Sequence, residues 1–105
     1  MVYLVQEAPG RNVLAATQYG KIEVLLPPGD IVLSPGPTTR KLQRKLQRFS
    51  DEDYLLLMGD PVAIGIACAV AAEANQGRVN LLKWDRQTFV YYAVKMDLHR
   101  RTESA

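Results

Sequence analysis

The sequence predicts an α+β fold: a single domain in which a mixed β-sheet packs against two helices. Three observations lead there. Short runs rich in Val, Ile, Leu and Tyr, each bounded by Gly or Pro, fill the first third of the chain, as strands and hairpins require. Two stretches with helical signatures, "TTRKLQRKLQRF" and "PVAIGIACAVAAEANQG", flank an unbroken apolar run, "YLLLM". Strand, helix and strand joined by short turns make a βαβ unit, a crossover between parallel strands that is almost always right-handed. At 105 residues, 48% hydrophobic and 23% charged, the chain can bury one core. That core is expected within residues 1–98, with the tail "HRRTESA" (99–105) frayed and disordered.

Taken in order, "VYLVQEA", "VLAATQY", "KIEVLLP" and "IVLS" read as the strands of a β-meander, punctuated by "PGRN", Gly20 and "PPGD". In Lys21-Ile22-Glu23-Val24 polar and apolar residues alternate, the pattern of a strand wet on one face. "SPGP" stops the last of these, and Thr38 or Thr39 is expected to cap the first helix. At about 100° per residue with Arg40 at zero, the basic side chains fall between about 0° and 140°, and Leu42, Leu46 and Phe49 between about 180° and 240°. Ser50 and the acidic "DED" end that helix. "YLLLM" lacks alternation, so it is expected at the centre of the sheet, covered on both faces. Gly59 then turns the chain, Asp60 caps a second helix and Pro61 takes its first position, where a missing N–H costs nothing. That helix runs to about Asn75 and stops at Gly77, after which "RVNLLKWD" and "TFVYYAVKMDL" form a C-terminal hairpin.

The charge is unevenly placed. The net value is +2, yet setting aside Arg40, Lys41, Arg44, Lys45 and Arg48 leaves 8 basic against 11 acidic residues. Four-residue spacing stacks the three arginines as a ridge with the two lysines alongside, and no glutamate relieves it. Such a face binds an acidic protein surface, or contacts phosphates of nucleic acid without reading sequence, unless it is only the solvated side of a helix. Asp51, Glu52 and Asp53 stand close enough in sequence to pair with Arg44 or Arg48.

The turn "MGDPVAIG" has the form of a small-ligand site, since backbone N–H groups at a helix start hold anions. Asp60 works against phosphate there, because its carboxylate satisfies those donors and repels an anion; a cation or a ribose hydroxyl suits Gly59-Asp60 better. In the second helix Ala63, Ala67 and Ala71 repeat every four residues. This stripe serves either tight packing on the sheet or, because the helix is apolar nearly all round, self-association as a homodimer. Tyr91 and Tyr92 point to opposite faces of their strand, so one lies under a covering element or is open for stacking.

Conventional catalytic sets are missing. Cys68 is the only cysteine and lies in an apolar run, where a thiol is inert; His99 is the only histidine. One chain therefore offers no disulfide, no thiolate cluster and no multi-histidine metal site, and the expectation is a non-enzyme without cofactor or metal. The longest apolar stretch, "YLLLMGDPVAIGIACAVAA", is broken by Asp60-Pro61 and does not read as a membrane span. The lone cysteine and the polar Gln6-Glu7 near the start fit a cytoplasmic protein.

The stretch "DYLLLMGDPVAIGIACAVAAEANQGRVNLLKWDRQ" resembles small proteins encoded by tailed bacteriophages. The resemblance covers about a third of the chain and brings no activity and no site residues with it. It implies a small protein made in the cytoplasm of an infected host, a regulator of some host machine. Together with the basic helix, this gives the expected function: a macromolecule-binding regulator. Nucleic-acid binding through the same helix is the alternative, and a small nucleotide- or metal-binding enzyme at Gly59-Asp60 the second.

Overall fold

Strand β1 (Val2–Gln6) is buried at every position because it pairs on both sides, parallel to β2 (Ile22–Leu26) and parallel to β3 (Tyr54–Leu56). They belong to a five-stranded mixed sheet of order β2-β1-β3-β4-β5, with β1 and β3 inside and β2 at one edge, seen in a computed structural model that describes residues 1–10, 12–29 and 35–99. Strand β4 (Arg78–Asp85) runs parallel to β3, and β5 (Val90–Asp97) closes the sheet antiparallel to β4. The "YLLLM" strand is thus central, and the βαβ unit and C-terminal hairpin are both present in one compact α+β domain.

Both helices, α1 (Pro35–Lys45) and α2 (Pro61–Ala74), lie on one face of the sheet. Alternation along β1 sends Tyr3 and Val5 to that face, where they meet Leu42, Leu46, Ala63 and Ala67. Val2 and Leu4 point the other way and join Leu56, Leu82 and Tyr91 under a 3-10 helix (Leu14–Tyr19), which contributes the buried Ala16.

The N-terminal meander is not what the chain builds. "VLAATQY" is that 3-10 helix rather than a strand, and β1 pairs with β2 in parallel, which a hairpin cannot do. The cause lies in spacing and in Asn12. The Asn12 Oδ1 accepts from the Leu14 N–H at 2.9 Å and bends the chain. Val13, Ala16 and Tyr19 then recur every three residues, the 3-10 period, and all three pack on the sheet while Leu14 is 70% exposed. The expected strand "IVLS" lies at residues 31–34, outside the described residues, as do residues 100–105 of the tail.

Helix α1 begins at Pro35, so Thr38 and Thr39 are inside it and neither is its cap; the Thr39 hydroxyl donates to the Pro35 carbonyl at 2.7 Å. Pro35 and Pro37 fit in the first turn because the N–H groups they lack have no intrahelical acceptor there. The helix also ends earlier than Ser50. Past Lys45 the Leu46 N–H still reaches Leu42, and a tighter turn from Phe49 to Leu46 completes it. In α2 the cap is as expected: Asp60 Oδ1 accepts from the Val62 N–H at 2.7 Å, with Pro61 following. The helix is left through Gln76 and Gly77, both at positive φ.

The strand order reverses between β1 and β3. The chain leaves β1 for β2 on one side and leaves β3 for β4 on the other. Right-handed crossovers then require the two connections to lie on opposite faces, and they do: the 3-10 helix on one, α2 on the other. A crevice opens between the two departing loops at the carboxyl ends of the strands.

Candidate functional site

Helix α1 buries one row and exposes another. Leu42 and Leu46 are wholly buried and Phe49 nearly so, its ring 5.9 Å from that of Tyr3. On the other side Arg40, Arg44, Lys45 and Arg48 are exposed and Lys41 is half-buried. Among the described residues no carboxylate lies within 4.0 Å of any of the five. Asp51 and Asp53 are engaged elsewhere, and none of the three acids pairs with Arg44 or Arg48 as expected. Asp51 Oδ1 accepts from Arg78 Nε at 2.9 Å and from Asn75 Nδ2 at 2.8 Å, and these two bonds, the arginine's first, hold its carboxyl below the ordinary value. Asp53 accepts from the Ser50 N–H and hydroxyl. Arg44 and Lys45 also occupy the last turn of α1, where the helix dipole favours cations. Between α1 and α2 a cleft of about 350 Å³ joins this ridge to Val70, Glu73 and Ala74, with Gln43 and Gln47 on the ridge side.

The Gly59-Asp60 turn is tied to β1 by Gln6. This side chain, 3% exposed, accepts from the Asp60 N–H at 2.7 Å and donates to the Pro27 and Gly29 carbonyls at 3.0 and 2.6 Å. One amide thus fastens the loops after β2 and β3 to the end of β1. Gly59 makes room for it: φ is +120°, and a Cβ there would overlap the Gln6 side chain. Asp60 caps α2, so the Val62 N–H at this helix start is already engaged.

Ala63, Ala67 and Ala71 are all fully buried against the sheet. The stripe is a packing seam inside the chain and presents nothing to a second copy. The apolar residues that α2 does expose are Pro61, Val62, Gly65, Ala69 and Ala74. Cys68 is half-buried, and burial raises its thiol pKa. No three His, Cys, Asp or Glu side chains converge as a metal site among the described residues, and no helix there is long and apolar enough to cross a membrane.

Two adjoining depressions open at the strand ends, one of about 260 Å³ and one of about 320 Å³, sharing Met58, Trp84 and Tyr91 as walls. The loop after β1 supplies Ala8, Gly10 and Asn12, and the loop after β3 supplies Leu57 and Gly59. Trp84 meets Tyr91 edge-on at 4.9 Å, and the Tyr19 hydroxyl donates to the Tyr91 carbonyl at 3.0 Å, so the wall is braced. Tyr92, pointing the other way, is 39% exposed. Sequence reasoning found Gly59 but missed Gln6 and this constellation. Its residues come from four separate segments, and the one local signal was a lone amide ending an apolar strand.

A larger basin of about 460 Å³ lies at the opposite end of the sheet, around Asp51, Asn75, Arg78 and Lys95. Much of its polar lining is bonded to itself: Asn75 also donates to the Arg78 carbonyl, and Asn80 Nδ2 to the carbonyls of Asp51 and Asp53. No curated protein and no solved structure matches the chain. A family model, described as Phage Pam3 gp32-like protein, matches residues 1–98. Spanning nearly the whole sequence, that match makes the chain a member of the Phage Pam3 gp32-like protein family.

Proposed function

We propose that this phage protein is a small, non-enzymatic binding protein that docks on an acidic protein surface in the host cytoplasm through Arg40, Lys41, Arg44, Lys45 and Arg48, as a regulator of that partner. One observation carries the reading: the four cations of α1 and Arg48 in the turn just past its end have no ion-pair partner among the described residues. A helix held by Leu42, Leu46 and Phe49 does not need that field for its own packing. Like charges at four-residue spacing oppose the helix by roughly 0.2–0.5 kcal/mol per pair, a cost that a bound acidic surface removes.

A protein partner is favoured over nucleic acid by what surrounds the ridge. The adjoining cleft has an apolar lip in Val70 and Ala74, which matches the mixed chemistry of a protein interface. The aromatic side chains Trp84, Phe89 and Tyr92, which would stack on single-stranded bases, belong to β4, β5 and their turn, whereas α1 packs beside α2 over β1 and β2.

The test is fluorescence anisotropy with two probes, a labelled polyglutamate peptide and a labelled single-stranded oligonucleotide, each titrated across on the order of 50–200 mM salt. The peptide is expected to bind, to weaken as salt rises, and to be lost in R40E/R44E/R48E at unchanged melting temperature. Tighter binding of the oligonucleotide would move the assignment to nucleic acid. Failure of both probes, or full binding by the triple variant, would remove the ridge as the site.

A further inference from the structure

The crevice at the carboxyl ends of β1, β3 and β4 is distinct from the basic ridge and has its own chemistry. Its position follows from topology. Loops leaving β1 and β3 diverge to opposite faces of the sheet, and in open α/β sheets the gap so formed is where ligands sit. Its depressions of about 260 and 320 Å³ share three walls and together fall in the range of small-molecule sites. The lining side chains are mostly apolar or aromatic in type, and the described ones carry no charge.

We propose that this crevice binds a nucleoside, its planar base stacked against Trp84. Trp84 borders both depressions and is held in place edge-on by Tyr91 and Phe89, at 4.9 and 6.3 Å, which favours a flat aromatic partner. Asn12, exposed on the rim, uses its side-chain oxygen on the Leu14 N–H and leaves its amide group to read a base edge. The specificity against phosphate comes from Asp60. In nucleotide sites of this topology the phosphate sits on the helix start, and here the Asp60 carboxylate occupies that place and bonds the Val62 N–H. The same carboxylate belongs to the residue that follows Gly59, itself part of the crevice wall, and its chemistry suits a ribose hydroxyl. Gln6 and Gly59 act as positioning residues, fixing the turn at which the sugar would lie.

Trp84 is the only tryptophan in the chain, so its emission reports directly on the crevice. The full-length protein is titrated with adenosine, guanosine, cytidine and uridine, and in parallel with their 5′-monophosphates. Saturable quenching by at least one nucleoside is expected, with the matching monophosphate at least several-fold weaker. D60N, which keeps the cap, should narrow that gap by several-fold. Paired A8L and A15L substitutions, one on the rim of each depression, should weaken nucleoside binding at least ten-fold while the melting temperature confirms folding. No saturable change with any nucleoside up to roughly millimolar concentration, the weak end of specific small-ligand affinity, would overturn the proposal. So would monophosphates binding more tightly than nucleosides, or unaltered binding in a folded A8L/A15L protein.

Discussion

Helices α1 and α2 lie side by side on the same face of the sheet but are built on opposite plans. Helix α1 holds on by large side chains, Leu42 with Leu46 and Phe49 just beyond its end, and keeps a broad outer side for charge. Helix α2 holds on by the methyl groups of Ala63, Ala67 and Ala71, and its sequence carries no charge before Glu73. The difference is one of where the constraint sits. A helix anchored by a few long side chains can carry almost any outer surface, because the anchors and the charges do not touch. A helix pressed close through small residues is limited by volume on its inner side at every turn.

Substitutions in and beside the two helices break or sharpen that contrast. The largest effect is expected from L42A or L46A, each about 2–5 kcal/mol of lost stability in urea unfolding, because either leaves a cavity beneath α1. Next is A67L, which forces two helical turns away from the sheet at a cost of about 1–3 kcal/mol. The same change at the exposed Ala69 should stay within about 0.5 kcal/mol, and equal costs at the two positions would mean that α2 is not closely seated. Removing the cap of α2 with D60A should cost about 1 kcal/mol, and D60N should restore nearly all of it. Smallest is R44Q, expected within about 0.5 kcal/mol and slightly stabilising, since it relieves like-charge neighbours at Arg40 and Arg48. A large loss from R44Q would tie the ridge to the fold rather than to a partner.

A pH dependence separates the loop after α1 from both helices. The folded-state pKa of Asp51 is lowered by its bonds from Arg78 and Asn75, so the unfolded chain takes up that proton more readily than the folded one. Its stabilising contribution is complete above the ordinary carboxylate value and is lost as pH falls through the depressed one. Acid unfolding followed by circular dichroism should therefore begin at higher pH in D51N than in R44Q, and coincident curves would show that the pair contributes nothing.

The C-terminal half was legible because its signals are local. Asp60, Pro61 and Gly77 bracket α2, and the run at Tyr54–Leu56 needed no alternation to be placed at the centre. The N-terminal third misled because Val, Leu and Tyr favour strands by composition, whereas the three-residue spacing of Val13, Ala16 and Tyr19 is what places them on the sheet. Thr38 and Thr39 drew attention from Pro35, whose ring fits a first turn as well as it breaks an interior one. For the site, the ridge on α1 was visible because it is one amphipathic segment. The crevice was invisible because Ala8, Met58, Trp84 and Tyr91 meet only after the crossovers are made.

The placement of β1 between two later strands also sets an order of assembly. Strand β1 leaves the ribosome before both of its neighbours, which start around residues 22 and 54, and until the second arrives one of its edges is unsatisfied. The hairpin of β4 and β5, joined by a short turn, closes on itself far sooner. Nascent chains halted before residue 54 should therefore be aggregation-prone, and β1, made before both its partners, is among the last segments to gain full hydrogen-exchange protection.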